Sequence, residues 1–346
     1  MKPWSIDLRG RLEELVIESE ALAGNALGDP AERPLWVYLP PGYADEPGRR
    51  YAVVYVIQGF TGQLDMWRNR EPFRPNYLEM SDHLFAEGDE RGSVPPAIVV
   101  YVDCWTSLGG SQFLNSPATG RYQDYLCDDV VSFVDARFRT DPRPEARGIQ
   151  GKSSGGYGAM VNAMLRPDRF RGLASHAGDA LFEACYVKGF ADVTRYLRDE
   201  YGGSYERFWE DFRSRVAMTK PSDGELVETY AYAAAYSADP DGTVRLPFDT
   251  ATGRLIDDLW ARWLEKDPVR MVSKHAEALR SMRAIWLDAG RKDEWYLDNG
   301  AVAVSRELEE IGVQHTLELF DAGHMSIGYR YPRSLAFLAR ALSEPA

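Results

Sequence analysis

The chain has 346 residues, of which 45% are hydrophobic and 12% aromatic, enough to bury a large core and far from the composition of a disordered protein. Its 40 Lys and Arg stand against 53 Asp and Glu, and a formal net charge of −13 repels phosphate backbones and anionic lipid surfaces, so neither nucleic acid nor a membrane is an expected partner. Cys104, Cys127 and Cys185 are widely spaced with no CxxC pair for a metal or redox centre, and they read as reduced thiols.

The opening stretch, MKPWSIDLRGRLEEL, has no apolar run after its charged start. It predicts neither a signal peptide nor a membrane anchor, and the expected address is cytoplasmic. Apolar, often β-branched runs follow at residues 35–39, 51–57, 97–102, 171–176, 284–288 and 316–320. Near-continuous runs of this kind are what strands buried on both faces look like. Helical patterns lie between or after them at 122–138, 156–165, 299–311 and 331–342. Alternation of strand and helix predicts an α/β protein with a mostly parallel central sheet and helices on both faces, the earliest strands pairing antiparallel at one edge.

Residues 180–280 break the rhythm, being rich in Tyr, Trp, Phe, Arg and Asp, with helical spacing at 208–218 and 255–264. They read as a helical, aromatic-rich insertion between a first part of the core, 1–179, and a last part, 281–346. The insertion is either a lid over the carboxyl edge of the sheet or a solvated elaboration that adds stability. Its aromatics, among them Tyr186, Phe190, Tyr196, Tyr201, Tyr205, Phe208, Trp209, Trp260 and Trp263, either line an apolar acyl pocket or pack against one another.

The motif Gly151-Lys152-Ser153-Ser154-Gly155 sits between the strand-like 146–150 and the helix that follows. Glycines two before and two after the serine leave room for a strained turn that exposes its hydroxyl, a nucleophile elbow. Gly-Lys-Ser also ends a phosphate-binding loop, but the opening glycine of that loop is replaced by Ala146, and 148–150 reads as strand. A serine hydroxyl needs a histidine to take its proton and a carboxylate to orient the histidine. In an α/β-hydrolase fold the order is Ser, acid, His, each after a strand. His324 follows the last strand and precedes the last helix, and Asp293 lies in the loop after the preceding strand. Asp288, Glu294 and Asp321 are close by as alternatives for the acid. His176 ends a strand and could border the site but falls before the acid; His83, His275 and His315 read as surface or structural residues.

Oxyanion donors are expected from the N–H of Ser154 and, at the glycine that ends the run Val53-Val-Tyr-Val-Ile-Gln-Gly59, from the N–H of Phe60. The bland reading of Gly59 is a turn after a buried strand. Gln58, Lys152 and Tyr157 flank these positions and are candidates for substrate contacts.

Taken together, LWVYLPPGY at 35–43, YVIQGF at 55–60, NSPATGRYQDY at 115–125, FVDARFRT at 133–140, GKSSGGYGA at 151–159, and Asp293 and His324 resemble the putative-esterase family. That family, also called the esterase D family, includes S-formylglutathione hydrolases, enterochelin esterases, feruloyl esterases and mycolyltransferases. The resemblance implies an α/β-hydrolase core, a metal-free triad of Ser153, Asp293 and His324, and acyl-ester chemistry without a cofactor. Related enzymes are often dimers or larger, so a homo-oligomer is also implied. Two positions depart from the pattern: Gln58 and Lys152 stand where His is common. The expected function is a serine carboxylesterase acting on a small-molecule ester. Its rivals are an acyltransferase passing the acyl group to an alcohol or sugar and a catalytically silent binding protein.

Overall fold

The computed structural model describes residues 7–70 and 73–344; residues 1–6, on which part of the targeting expectation falls, lie outside the described residues. Eight strands form one sheet: β1 (Arg11–Glu18), β2 (Glu32–Leu39), β3 (Val53–Ile57), β4 (Ile98–Val102), β5 (Arg147–Lys152), β6 (Gly172–His176), β7 (Ala284–Gly290) and β8 (Thr316–Phe320). Their order across the sheet is β1-β2-β4-β3-β5-β6-β7-β8. β2 pairs antiparallel with both β1 and β4, and all other neighbours run parallel. The mostly parallel sheet with an antiparallel edge is the one predicted.

Every residue of β3 and β4 is buried. Side chains alternate across the sheet, so Val53, Tyr55 and Ile57 enter one core while Val54 and Val56 enter the other. The second core is covered by α1 (Tyr77–Glu87) and the last helix, Tyr331–Ser343. The first is covered by α2 (Val131–Arg137), which continues a π-helical turn at Tyr125–Val130, by α3 (Ser154–Leu165), and by the helix Leu297–Glu310. Two elements carried no clear sequence signal. β1 is an edge strand on which only Ile17 is fully buried, so it shows no apolar run. α1 hides polar residues: Asn76 and Glu79 form a reciprocal capping box at its start, and Asp82 accepts from the backbone of Arg9 and Gly10 and from the hydroxyl of Tyr38.

Between β6 and β7 the chain is helical, with α4 (Val187–Tyr201), α5 (Tyr205–Ser214), α6 (Asp223–Tyr236) and α7 (Asp257–Leu264). The helices expected at 208–218 and 255–264 are thus found a few residues earlier and two residues shorter, respectively, and α4 and α6 are additional to the expected helices. Rings of the insertion join the core on the α3 face, with Phe182 and Tyr236 packed on Tyr157 at centroid distances of 6.1 and 5.7 Å. Among the described residues no helix is long and apolar enough to cross a membrane.

Candidate active site

β5 ends at Lys152 and α3 begins at Ser154, so Ser153 carries the whole reversal of direction. Its φ of 59° and ψ of −128° lie outside the regions an L-residue prefers, a strain that the surroundings must impose. The flanking glycines explain how. A Cβ on Gly151 would stand 2.4 Å from the carbonyl carbon of Gly155, and a Cβ on Gly155 would stand 2.5 Å from the carbonyl oxygen of Ile57 at the end of β3. Only bare backbone lets strand, helix and the β3 loop approach this closely. Residues 148–151 are paired on both sides within the sheet, which leaves no phosphate-cradling loop before Lys152-Ser153.

The same packing brings the β3 loop to the serine: a Cβ on Gly59 would lie 3.4 Å from Cβ of Ser153. In that loop Thr61 N–H donates to Gly109 O and Gly62 N–H to Gly59 O, while the N–H groups of Phe60 and Ser154 have no protein acceptor among the described residues. Two donors are therefore free beside Ser153, one at the start of a helix.

His324 is 5% and Asp293 4% exposed, and Nδ1 of the histidine lies 2.8 Å from Oδ2 of the aspartate. Oδ1 of Asp293 accepts from the N–H of Trp295 at 2.9 Å, which fixes the carboxylate. With Nδ1 committed, Nε2 is the nitrogen left for proton transfer. Ser153 and His324 line one cavity of about 590 Å³, without a hydrogen bond between them. The alternative acids are occupied elsewhere. Glu294 accepts from the backbone N–H of His324 at 2.8 Å, Asp321 pairs with Lys292 on the surface at 2.5 Å, and Asp288 is buried beside His176. His176 borders the elbow only through its backbone oxygen, which accepts from the N–H of Ser153 at 2.9 Å. His83, His275 and His315 do not line the cavity.

Two of the three substrate-contact candidates are corrected by the structure. Gln58 is 3% exposed and does not line the cavity. With its amide oriented to satisfy its neighbours, it accepts from Cys104 N–H and Trp105 N–H and donates to Val102 O, bracing the loop after β4. Tyr157 is fully buried on α3, on the core side of that helix. Lys152 does line the cavity; its Nζ meets Sδ of Met325 at 3.9 Å. Burial lowers its pKa to about 8, against the opposing pull of Asp293, Asp179 and Glu294.

The insertion supplies much of the cavity wall. Tyr186 and Phe190 line it, whereas Tyr196, Tyr201, Tyr205, Phe208, Trp209, Trp260 and Trp263 do not. Glu225, Glu228, Thr229 and Tyr232 reach it from one face of α6 at helical spacing. Asp179, three residues after the end of β6, also reaches it. None of these five was singled out from sequence. Asp179 had one usable signal, its place just beyond the carboxyl end of a core strand.

The profile of the putative-esterase family matches residues 30–325. An esterase of Mycobacterium tuberculosis strain H37Rv is 26% identical over 203 residues, covering 56% of this chain and 40% of that protein. An uncharacterized protein of Corynebacterium glutamicum is 26% identical over 146 residues, 42% of this chain and 32% of its own length. The match thus spans less than half of either relative. Among solved structures, a ferulic acid esterase aligns with a TM-score of 0.62 at 16% identity, covering 97% of this chain and 100% of that one. An S-formylglutathione hydrolase from Agrobacterium tumefaciens aligns at 0.58 and 16% identity, covering 98% of each chain. At such identity these neighbours establish the fold, that of an α/β hydrolase.

Proposed function

The chain belongs to the putative-esterase family, and from that premise we propose that it is a serine carboxylesterase working through an acyl-enzyme on Ser153. Ser153 Oγ attacks the ester carbonyl as His324 Nε2 takes its proton. Asp293 holds the ring in the right tautomer and stabilises the imidazolium. The N–H groups of Phe60 and Ser154 receive the oxyanion. His324 then returns the proton to the leaving alcohol, and water, activated by the same ring, releases the acid. The Ser153–His324 hydrogen bond, not made in this structure, is expected to form when substrate fills the cavity.

One observation carries this reading: the 2.8 Å contact between His324 and Asp293 opens onto the same cavity as a serine held at positive φ. The test is labelling by a fluorophosphonate probe together with hydrolysis of short p-nitrophenyl esters. Wild type is expected to do both, and Ser153→Ala neither, while circular dichroism shows the variant folded. Labelling or full turnover in the folded variant would remove Ser153 from the mechanism.

A further inference from the structure

The cavity beside Ser153 carries charge that ester hydrolysis does not use. Asp179 is 3% exposed; its Oδ2 accepts from the hydroxyl of Tyr186 at 2.8 Å and from the amide of Gln112 at 3.3 Å, while Oδ1 has no hydrogen-bond partner among the described residues. Glu228, on the cavity face of α6, accepts from the hydroxyl of Tyr232 at 2.8 Å through Oε1, and its Oε2 is likewise without a partner among the described residues. The rings of Tyr186 and Tyr232 lie 4.9 Å apart, so one aromatic pair presents a carboxylate on each of its hydroxyls.

Among the described residues no cation forms an ion pair with these two carboxylates, although Lys188 acts on Glu228 and Lys152 on Asp179 from a distance. The two ammonium groups on the wall are spent elsewhere, Lys188 on the carbonyl of Glu294 and Lys152 against Met325. Of the four carboxylates that line the cavity, Glu225 and Glu294 are exposed, which leaves Asp179 and Glu228 as the shielded pair. Burial lifts the pKa of Asp179, and lifts that of Glu228 to about 7, with Asp179 among its further causes. Holding like charges together in a poorly hydrated space is costly unless a countercharge arrives. Aromatic faces beside them favour an organic cation over a hydrated metal ion.

We propose that this part of the cavity is a subsite for an alkylammonium group of the ester substrate, held by Asp179 and Glu228 and against the rings of Tyr186 and Tyr232. The proposal rests on the esterase reading of Ser153 and names its substrate class. It also gives the insertion a role, since Glu228 and Tyr232 come from α6.

The cation can sit on the acid or on the alcohol half of the ester, and paired isosteres separate the two. On the acid side, p-nitrophenyl 5-(trimethylammonio)pentanoate is compared with p-nitrophenyl 6,6-dimethylheptanoate. On the alcohol side, butyrylcholine is compared with 3,3-dimethylbutyl butyrate. In one arm the cationic ester is expected to show a kcat/KM roughly tenfold or more above its neutral isostere, the scale of a desolvated cation–aromatic contact with a facing carboxylate. Asp179→Asn and Glu228→Gln should each cut that ratio by about tenfold. Reading the ratio within each variant cancels any loss common to both esters. A ratio at or below one in both arms of the wild type, or a ratio untouched by both substitutions, overturns the subsite. A Glu228→Gln loss confined to neutral esters does so too, because Glu228 would then act as a protonated donor. If no ester is turned over and no probe labels Ser153, the esterase reading falls and the subsite with it; labelling without cation preference removes the subsite alone.

Discussion

His176 and Asp288 face each other from neighbouring strands with Nδ1 and Oδ1 2.7 Å apart, and the hydroxyl of Ser334 lies 2.7 Å from the other nitrogen of the same ring. These are the atoms of a Ser–His–Asp arrangement, yet the histidine and the aspartate are 0% exposed and the serine lies on the last helix, on the opposite face of the sheet from α3. Substrate cannot reach it, and its work is structural. Arg330 Nε adds a contact of 3.0 Å to Asp288, the backbone oxygen of Asp288 accepts from Ala177, and that of His176 accepts from Ser153.

Breaking this network should therefore unfold the protein sooner without touching the chemistry directly. Asp288→Asn is expected to cost about 1.5–3 kcal/mol in urea denaturation, because Nε of Arg330 and the ring of His176 lose a charged acceptor while Nη2 of Arg330 keeps Glu318. Ser334→Ala should cost only about 1 kcal/mol and keep fluorophosphonate labelling of Ser153. Burial pushes the Asp288 pKa up, but His176 and Arg330 hold it below the ordinary carboxylate range. A depressed folded-state pKa gives stability that is present above the unfolded value, about 3.9, and is lost as pH falls through the folded one. The deficit of Asp288→Asn should accordingly persist from neutral pH to about 4 and shrink only below it. A deficit that fades by pH 6 would show that the carboxylate is not the charge in question.

Asp293 and Glu294 are adjacent, and both touch His324, one at its ring and the other at its backbone. Only the ring contact fixes the tautomer. Asp293→Asn is expected to lower kcat by about 10³- to 10⁴-fold with a folded protein, whereas Glu294→Gln, which keeps an acceptor for the N–H, should lower it by less than about tenfold. Equal losses would mean that the two carboxylates share the role.

The ordered serine, acid and base were legible because each follows a strand, and strands such as β3 and β4, buried on both faces, advertise themselves as apolar runs. β1 was not legible, since an edge strand exposed along most of its length has no apolar pattern to show. Nor was the substrate end of the cavity. Glu225 and Glu228 carry no signal of their own in the sequence, and become part of the site only because the fold carries α6 against the β3 loop, where Tyr232 packs on Phe60 at 5.4 Å. Tyr157 misled for the converse reason: its place beside the elbow suggested the site, but α3 turns it into the core. Proximity along the chain ended at the elbow; everything beyond it depends on packing.

The elbow glycines can be tested against a glycine that does nothing of the kind. Gly151→Ala and Gly155→Ala place a methyl within 2.4 and 2.5 Å of backbone atoms that cannot move without shifting the β3 loop or the helix. Each should cost about 3 kcal/mol or more and abolish ester hydrolysis. Gly189, near the start of α4, has open space around its missing Cβ. Gly189→Ala should raise stability by about 0.5–1 kcal/mol, the ordinary helix preference for alanine. Tolerance of alanine at Gly155 would contradict the close approach of helix and β3 on which the oxyanion site depends.

Lys152 offers the clearest pH signature. Its amine is half-buried, pairs with no carboxylate among the described residues, and has a pKa of about 8, lowered chiefly by burial. The unfolded chain holds this proton up to about 10.4, so between these two values the unfolded state binds more protons and stability rises with pH. Below pH 8 the cost of burying the charge is fully present; above about 10.4 it is gone. Lys152→Met keeps the stem and removes the charge. It is expected to raise unfolding stability by on the order of 2 kcal/mol at pH 6.5, with the gain shrinking toward zero at pH 10.5. Urea midpoints at the two pH values decide the matter. A gain of the same size at both would trace to packing alone, and a loss at pH 6.5 would mean that the ammonium group has a partner worth more than the water it gave up.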